Sequence, residues 1–372
     1  MKLLFAFPEP LPLPRARGVQ VAWMAEALCA AGVDVTLASV PSPDGHPLQP
    51  IGKPLPARLR LRPTSNRWPF PFGRWHSVSR FARQLVRQLD AARPDAIFVR
   101  HVKLAYQLLR LRPDIPLIYE AHEVFAANAP AAKRERLAHQ EAFVLNHAAG
   151  IVPISGAVQA ALHRDYAYSS NEIVLHSATE LPAAPATKDW ADCARRIVYA
   201  GSFFSWKGVD DLVDAAAELP GCRITLIGGE ASEIERLQGR IAPGGAEVVL
   251  LPRMSPAEAM AHLQTACIAV LPNRAEGVSH FTSPLKLFEY MGAGCAVVAA
   301  DIASVREVLG DEEGRWFPPG SPKALAAAIR ELTENPEAAR ACGAAAARRA
   351  RAFTWQGRAE ALRDFIASLL KA

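Results

Sequence analysis

The sequence predicts an α/β protein built from two doubly wound parallel-sheet domains. Three observations lead there. The chain has 372 residues, which fits two domains at roughly 100–200 residues each. Short apolar runs alternate with helix-period segments, the β-α-β signature of a parallel sheet covered by helices on both faces. A proline- and alanine-rich stretch over residues 181–193, LPAAPATKDWADC, interrupts the alternation, which then restarts. Half the residues are hydrophobic and 21% are charged, a balance that supports packed cores and excludes a disordered chain.

The elements follow in order. Residues 3–7 read as a buried strand, 19–31 as a helix closed by Gly32, and 33–39 as the next strand. Strands at 96–99 and 115–119 each follow a helical stretch, and one at 150–154 precedes a helix from Gly156. After the break come a strand at 196–200, a helix over 208–218, and strands at 223–227, 248–251, 268–271 and 296–299 with helices between them. An amphipathic helix over 355–371 ends the chain. This divides the chain into an N-terminal domain (1–183), a linker (184–195), a C-terminal domain (196–352) and a final helix (353–372).

The apolar stretch at 291–300 is too short to cross a bilayer, which needs about 20 residues. Only residues 3–7 are apolar before Pro8, shorter than a signal peptide requires, so a cytoplasmic protein is expected. Six scattered cysteines with no C-x-x-C pair disfavour a zinc site and a disulfide scaffold, and suit buried thiols in a reducing compartment.

The net charge of +5 hides an asymmetry. Residues 51–112 carry fourteen basic side chains against Asp90 and Asp95, a local charge of +12 that leaves the remainder at −7. Within it, WPFPFGRW at 68–75 interleaves four aromatics with arginine. A helix over 78–91 follows, with Val78, Phe81, Leu85 and Leu89 on one face and Arg80, Arg83 and Arg87 on another. Three readings stand: attachment to an anionic membrane surface or acceptor, single-stranded nucleic acid bound by stacking, or a solvated arginine face. No RNA-binding or helix-turn-helix signature supports nucleic acid.

Four segments carry chemistry. In Ser283-Pro-Leu-Lys-Leu-Phe-Glu289, serine is a favoured N-cap and proline a favoured first helical residue. A helix from Pro284 leaves the N–H groups between Thr282 and Lys286, those of Thr282, Ser283, Leu285 and Lys286, free for a phosphate, with Lys286 adding a full charge. Glu289, near one turn on, is placed to accept from two ribose hydroxyls; the alternative is an ordinary capped helix with a surface glutamate. The segment YAGSFFSWKG runs from a strand into a helix, with Gly201 and Gly208 permitting tight backbone and Lys207 at the helix entrance; otherwise Lys207 is a surface residue. In YEAHE, His122 lies at a strand's C-terminal end, against the alternative of a structural histidine. Arg15-Ala-Arg-Gly18 presents glycine backbone between the first strand and its helix, but is not the dinucleotide fingerprint.

Together these residues resemble the retaining glycosyltransferases of the family-4 type with the GT-B fold. The likeness is clearest in YAGSFFSWKGVDDLVDAA, ITLIGGE and SPLKLFEYMGAGCAVVAADIASVREVL, and weaker in GVQVAWMAEALCAAGVDVTLAS, YEAHE and VPISGAVQAAL. The resemblance implies two Rossmann-like domains facing across a cleft, with the last helix crossing back to the N-terminal domain. It implies a nucleotide-sugar donor, most commonly a UDP-sugar, held mainly by the C-terminal domain. In that scheme Glu289 holds the ribose, Lys207 neutralises the diphosphate, and Lys286 and nearby backbone (Gly201, Ser202, Thr282, Ser283) help. Arg253 and Met254 flank the base, His122 approaches the reacting sugar and phosphate, and Gly18 closes over the donor.

No D-x-D pair occurs, so lysines rather than a metal ion are expected to neutralise the leaving group, and no cofactor is implied. The acceptor falls to the basic N-terminal domain: an anionic, lipid-linked or polysaccharide-precursor glycan, with peripheral attachment to the inner face of a membrane through residues 58–87. Nucleic acid is not expected as a partner. Three departures stand out. Phe281 replaces a frequent glutamate, with Glu276 the nearest upstream carboxylate; Ser202 replaces a frequent arginine; His176-Ser-Ala-Thr179 replaces an Asn-Gly-Val stretch. They keep two alternatives open, a non-catalytic partner subunit of the same fold and a nucleotide-sugar epimerase or phosphorylase.

Overall fold

A computed structural model describes residues 1–13, 15–67, 76–89, 93–182, 188–275 and 283–371. The aromatic segment at 68–75, Glu276, Phe281 and Thr282 lie outside the described residues, as do residues 183–187 of the expected linker. The chain forms two compact units, Met1–His176 with Trp355–Ala372, and Ser177–Thr354.

In chain order unit 1 contains β1 (Lys2–Leu11), α1 (Ala16–Ala30), β2 (Asp34–Pro41), β3 (Leu59–Pro63), α2 (Val78–Arg87), β4 (Ala96–Val99), α3 (Val102–Leu111), β5 (Leu117–Ala121), α4 (Ala131–His147), β6 (Gly150–Pro153), α5 (Gly156–Asp165) and β7 (Asn171–Glu172). Its strands pair in the order β3-β2-β1-β4-β5-β6-β7, all parallel. The order reverses between β1 and β4, and ligands of open parallel sheets bind beyond the strand C-termini at such a switch point. β4, β5 and β6 are buried throughout, which is why they read as continuous apolar runs.

Unit 2 contains α6 (Trp190–Cys193), β8 (Arg196–Ala200), α7 (Val209–Ala215), β9 (Arg223–Gly229), α8 (Ala231–Gln238), β10 (Glu247–Pro252), α9 (Pro256–Thr265), β11 (Ile268–Leu271), α10 (Leu285–Gly292), β12 (Ala296–Ala300), α11 (Ala303–Arg306), β13 (Gly314–Phe317), α12 (Pro322–Glu334) and α13 (Pro336–Ala350). Its sheet runs β10-β9-β8-β11-β12-β13, again all parallel, with the switch between β8 and β11.

The structure departs from the sequence reading in places that have physical causes. β1 continues through Pro8-Glu9-Pro10 to Leu11, past a register shift between Phe7 and Pro10. β3 and β13 mix arginines and partly exposed apolar residues, so neither gives an apolar run. In α2, Phe81 and Leu85 are buried while Arg83 and Arg87 stay exposed, and Ser77 Oγ caps the helix by accepting from the Arg80 amide. The helix ends at Arg87, short of the expected residue 91.

Residues 177–182, expected in the first domain, and residues 353–354, expected with the final helix, belong to unit 2. The Ser177 amide donates to Ser283 Oγ at 2.9 Å, and the Thr179 amide donates to the Phe353 carbonyl at 2.9 Å. The cysteine expectation also needs correction. Cys193 and Cys267 form a disulfide with Cα atoms 5.3 Å apart, while Cys29, Cys222, Cys295 and Cys342 are free and buried. The two residues precede β8 and β11, which lie side by side in the sheet, an adjacency that a separation of 74 residues conceals.

The final helix, α14 (Trp355–Leu369), folds into unit 1. Trp355 stacks on Trp23 of α1 with ring centroids 6.5 Å apart. Gly150 lets the helix close on the start of β6: a β-carbon there would lie 2.7 Å from Leu369 Cδ1 and 2.8 Å from Phe365 Cε1. Arg358 donates to Glu120 Oε1 at 2.7 Å, and both side chains are 3% exposed. Arg358 also donates to the backbone carbonyls of Leu175 and His176.

Removing one member of a buried ion pair strands the other, at about 3–5 kcal/mol. Arg358→Ala is therefore expected to lower the urea midpoint of unit 1, read by the fluorescence of the Trp23–Trp355 stack. Adding Glu120→Gln should restore part of the loss. An unchanged midpoint in the single variant would show that the pair does not hold α14.

Candidate active site

In unit 2 the C-terminal ends of β8 and β11 meet the start of α10. The helix begins at Leu285, with Pro284 as its N-cap residue and no side-chain cap. Ser283, expected to cap it, does not: its hydroxyl oxygen accepts from the Ser177 amide and its carbonyl from the Ser177 hydroxyl. Phe288, Tyr290 and Met291 are buried in the core. Tyr290 fixes the end of β8, its hydroxyl accepting from the Ala200 amide at 2.9 Å.

Lys286 is 7% exposed. Its ammonium donates to the Tyr199 hydroxyl at 2.9 Å and lies 4.0 Å from that ring's centre. Tyr199 in turn donates to the Ser202 carbonyl at 2.8 Å. A β-carbon on Gly201 would come within 3.4 Å of Lys286 Nζ, so the glycine and the ammonium face each other. Burial lowers Lys286 well below its ordinary value, and the nearby Lys207 lowers it further. Glu289, one turn on, makes no hydrogen bond or ion pair among the described residues; burial raises it to about 7 against the opposing pull of Lys286.

Lys207 ends a 3₁₀ turn, Ser205–Lys207, and its ammonium sits 3.7 Å from the centre of the Trp206 ring. Burial lowers it to about 7. Gly208 follows with φ +68°, a left-handed conformation that glycine alone adopts freely, and a β-carbon there would strike the Pro272 carbonyl. The turn that sets Lys207 is thus seated on the chain leaving β11. Two residues past β11, Asn273 is 1% exposed, and among the described residues neither its amide nitrogen nor its amide oxygen has a partner. Arg253 follows β10 and donates to Glu230 Oε1 at 3.1 Å, while Met254 packs on the unit 2 core.

In unit 1, His122 follows β5 and is 15% exposed. Its Nε2 lies 2.7 Å from Glu120 Oε2, and Arg100 donates to its Nδ1 at 3.1 Å. Since Nδ1 accepts, Nε2 carries the proton and the ring is neutral. Burial and the Arg100 charge lower His122 to about 4, with Glu120 opposing. Burial alone would raise the Glu120 carboxyl, but His122, Arg358 and Arg100 hold it below the ordinary range. Gly18 is buried in the first turns of α1, where a β-carbon would strike the Leu13 carbonyl.

Unit 2 therefore gathers Gly201, Ser202, Lys207, Leu285, Lys286 and Glu289 around one set of strand ends, with Arg253 and Met254 beyond β10. Unit 1 holds His122 and Gly18 at its own strand ends. Asn273, Arg100, Glu120 and Arg358 were not singled out as site residues. Arg100 was one base among fourteen, and only burial marks the others. Among the described residues no group of three or more His, Cys, Asp or Glu side chains is placed to hold a metal ion.

Without ligand this arrangement is destabilising, and its pH dependence has a definite sign. Glu289 sits near 7 in the fold against an ordinary value of 4.5. Folding takes up a proton between those values, so stability falls as pH rises through the window. Lys207 sits near 7 against 10.5. The unfolded chain holds that proton longer, so stability rises with pH above 7. Glu289→Gln is expected to raise the melting temperature at about pH 8 and leave it unchanged at about pH 5. A gain of equal size at both pH values would rule out the buried carboxylate as its cause.

Comparison with known proteins fits this geometry. Residues 194–335 match the family model for glycosyl transferases group 1, and residues 17–178 match that for a glycosyl transferase 4-like domain. A D-inositol 3-phosphate glycosyltransferase of Kineococcus radiotolerans is 28% identical over 191 residues, 45% of this chain and 43% of that protein. The aligned part thus spans under half of that relative's length. The fold is shared with sucrose-phosphate synthase from Thermosynechococcus elongatus (TM-score 0.80, 19% identity, 100% of this chain and 99% of that one). It is also shared with Anabaena HepE in complex with UDP-glucose (TM-score 0.74, 17% identity, 99% and 100%). With two Rossmann-like units of GT-B type, and the two family models together spanning most of its length, the chain belongs to the group 1 glycosyl transferases of the family-4 type.

Proposed function

We propose that this protein transfers a glycosyl group from a UDP-sugar to an acceptor hydroxyl, with retention of anomeric configuration and without a metal ion. The observation that carries the reading is the pair Lys207 and Lys286. Both are ammonium groups lowered by burial, without a carboxylate partner among the described residues, beside the uncapped start of α10. Such a site is completed by an anion. A nucleoside diphosphate meets its chemistry: the two lysines and the backbone of Gly201, Ser202, Thr282, Ser283 and Leu285 take the diphosphate. The unbonded Glu289 carboxylate accepts from two ribose hydroxyls, and Arg253 and Met254 flank the base. Family membership supports the sugar, and the solved complex of HepE with UDP-glucose supports uridine.

In transfer the bond from the anomeric carbon to the β-phosphate oxygen breaks while the acceptor oxygen bonds to that carbon on the same face. The acceptor proton passes to the departing phosphate oxygen. Negative charge grows on the diphosphate, and lysines already in position stabilise it without reorganising. His122 and Gly18 belong to the sugar and phosphate side of this reading.

The acceptor is assigned to unit 1, whose basic segment favours an anionic, lipid-linked or polysaccharide-precursor glycan. Arg83 and Arg87 on α2 stay exposed for peripheral contact with an anionic membrane at the cytoplasmic face. Among the described residues no helix is long and apolar enough to cross a membrane.

Calorimetric titration of UDP, GDP and ADP tests the donor site. UDP is expected to bind tightest, and Glu289→Ala to weaken it at least about tenfold, the size of one lost charge-assisted pair. Chelator should have no effect. Binding of none of the three nucleotides would overturn the donor reading in favour of a non-catalytic subunit. An inverted anomer among the products would overturn retention.

A further inference from the structure

The aromatic side chains of Phe203-Phe204-Ser205-Trp206 have no part in the donor reading, yet they border a cavity. It measures about 550 Å³, inside the roughly 300–1,000 Å³ of small-molecule sites. It lies between the loop after β8, α7 and α8, and among the described residues no part of α10 lines it.

Each wall has a local cause. Phe203 is 2% exposed, and Gly229 at the end of β9 makes room for its ring: a β-carbon there would lie 2.4 Å from Phe203 Cε2. Phe204 leads into the 3₁₀ turn and is 53% exposed, the most open of the large apolar side chains among the described residues. Trp206 lies within that turn, and its carbonyl accepts from the Arg274 amide at 3.0 Å, which ties the turn to the chain leaving β11. On the polar side Arg236 of α8 is paired with Asp210 of α7. Glu233 Oε2 accepts from the Glu230 amide at 2.9 Å, and its other oxygen has no bond among the described residues.

The charges select the occupant. Two carboxylates against one guanidinium repel an anion. A cation is disfavoured as well, because the Trp206 ring, its natural seat, already carries the Lys207 ammonium 3.7 Å from its centre. A hydrocarbon chain would desolvate the Asp210–Arg236 pair and give nothing back. What suits three aromatic side chains beside a carboxylate acceptor and a guanidinium donor is a neutral ring with an apolar face and a rim of hydroxyls.

We propose that this cavity is a subsite for a pyranose ring of a neutral glycan, separate from the donor site. The ring stacks on Phe204 and Trp206, while its hydroxyls donate to Glu233 and accept from Arg236. The indole that lines the cavity is also the one that carries Lys207, so a sugar held here lies one side chain from that lysine. The inference stands apart from the donor reading, since neither Lys286 nor Glu289 takes part in it.

Saturation-transfer difference NMR on the full chain tests it, with maltose and cellobiose as probes. At least one is expected to bind, with transfer strongest to the protons on one ring face. Phe204→Ala removes an exposed side chain, so an unchanged melting temperature is expected, together with affinity weakened at least about threefold, the share of one stacked ring. Phe204→Tyr should restore it. Excess UDP and Glu289→Ala should leave it unchanged.

Wild type binding neither disaccharide overturns the subsite, as does binding indifferent to Phe204→Ala. Binding that UDP displaces overturns it too, by placing the sugar in the donor site. Phe204-dependent binding of tetramethylammonium in place of either disaccharide overturns it in favour of a cation. Phe204-dependent saccharide binding with no nucleotide binding sinks the donor reading alone.

Discussion

Uncompensated positive charge at the C-terminal ends of parallel strands is the constraint on which the rest of this structure depends. It is most acute at Lys286. The residue sits on the inner side of α10, among side chains that fill the unit 2 core, and among the described residues its ammonium donates only to the Tyr199 hydroxyl. The helix cannot turn to release it. Tyr290 on the same helix is bonded to the backbone of Ala200, and Phe288 and Met291 are fully buried. Apolar packing therefore holds a charge in a place it would not choose, and the burial energy of α10 sustains it. An anion arriving there relieves the destabilisation, so binding and stability are two readings of one free energy.

The two units meet this constraint differently. Their sheets share one strand order, with the reversal at β1/β4 in one and β8/β11 in the other. Arg100 leaves β4 as Asn273 leaves β11, two unusual polar residues at corresponding strand ends. Among the described residues of unit 2 neither Lys207 nor Lys286 is paired with a carboxylate, and the Asn273 amide is unsatisfied at both atoms. In unit 1 carboxylates answer two of three arginines, and a neutral histidine separates Glu120 from Arg100. Arg358 arrives from α14 to do this, 238 residues along the chain from Glu120. The last helix thus has an electrostatic task as well as an apolar one, because without it the carboxylate that steadies His122 would be buried with no cation bonded to it other than through the imidazole.

Much of the fold was legible because its core strands are buried on both faces and print as apolar runs. β8 and β11 emerge from the sequence with the bounds the structure gives them. The edge strand β3 did not, since it alternates leucine with arginine and one of its leucines is 40% exposed. Local chemistry such as Lys207 before a glycine was readable because turn and charge are neighbours in the chain. The role of Ser283 was misread for the converse reason. Serine before proline is a sound cap signal, but its hydroxyl was claimed by Ser177, 106 residues upstream. Arg100, Arg358 and Asn273 were invisible on the same ground. What distinguishes them is burial and the presence or absence of distant partners, and neither is a property of spacing.

The departure at Ser202 takes on a different meaning in this light. Ser202 brings no side-chain charge to the loop after β8, and its backbone carbonyl, an acceptor that any residue there would offer, accepts from Tyr199. That bond sets the phenol so that its oxygen is free to accept from Lys286. One charge is thus delivered from beneath, by Lys286 on α10, and another by Lys207 in the loop after β8. A lysine delivered this way is desolvated before any ligand arrives, and a desolvated ammonium attracts a diphosphate more strongly than an exposed arginine screened by water. The shared use of Tyr199 explains why the aromatic, the serine carbonyl and the lysine hold one arrangement.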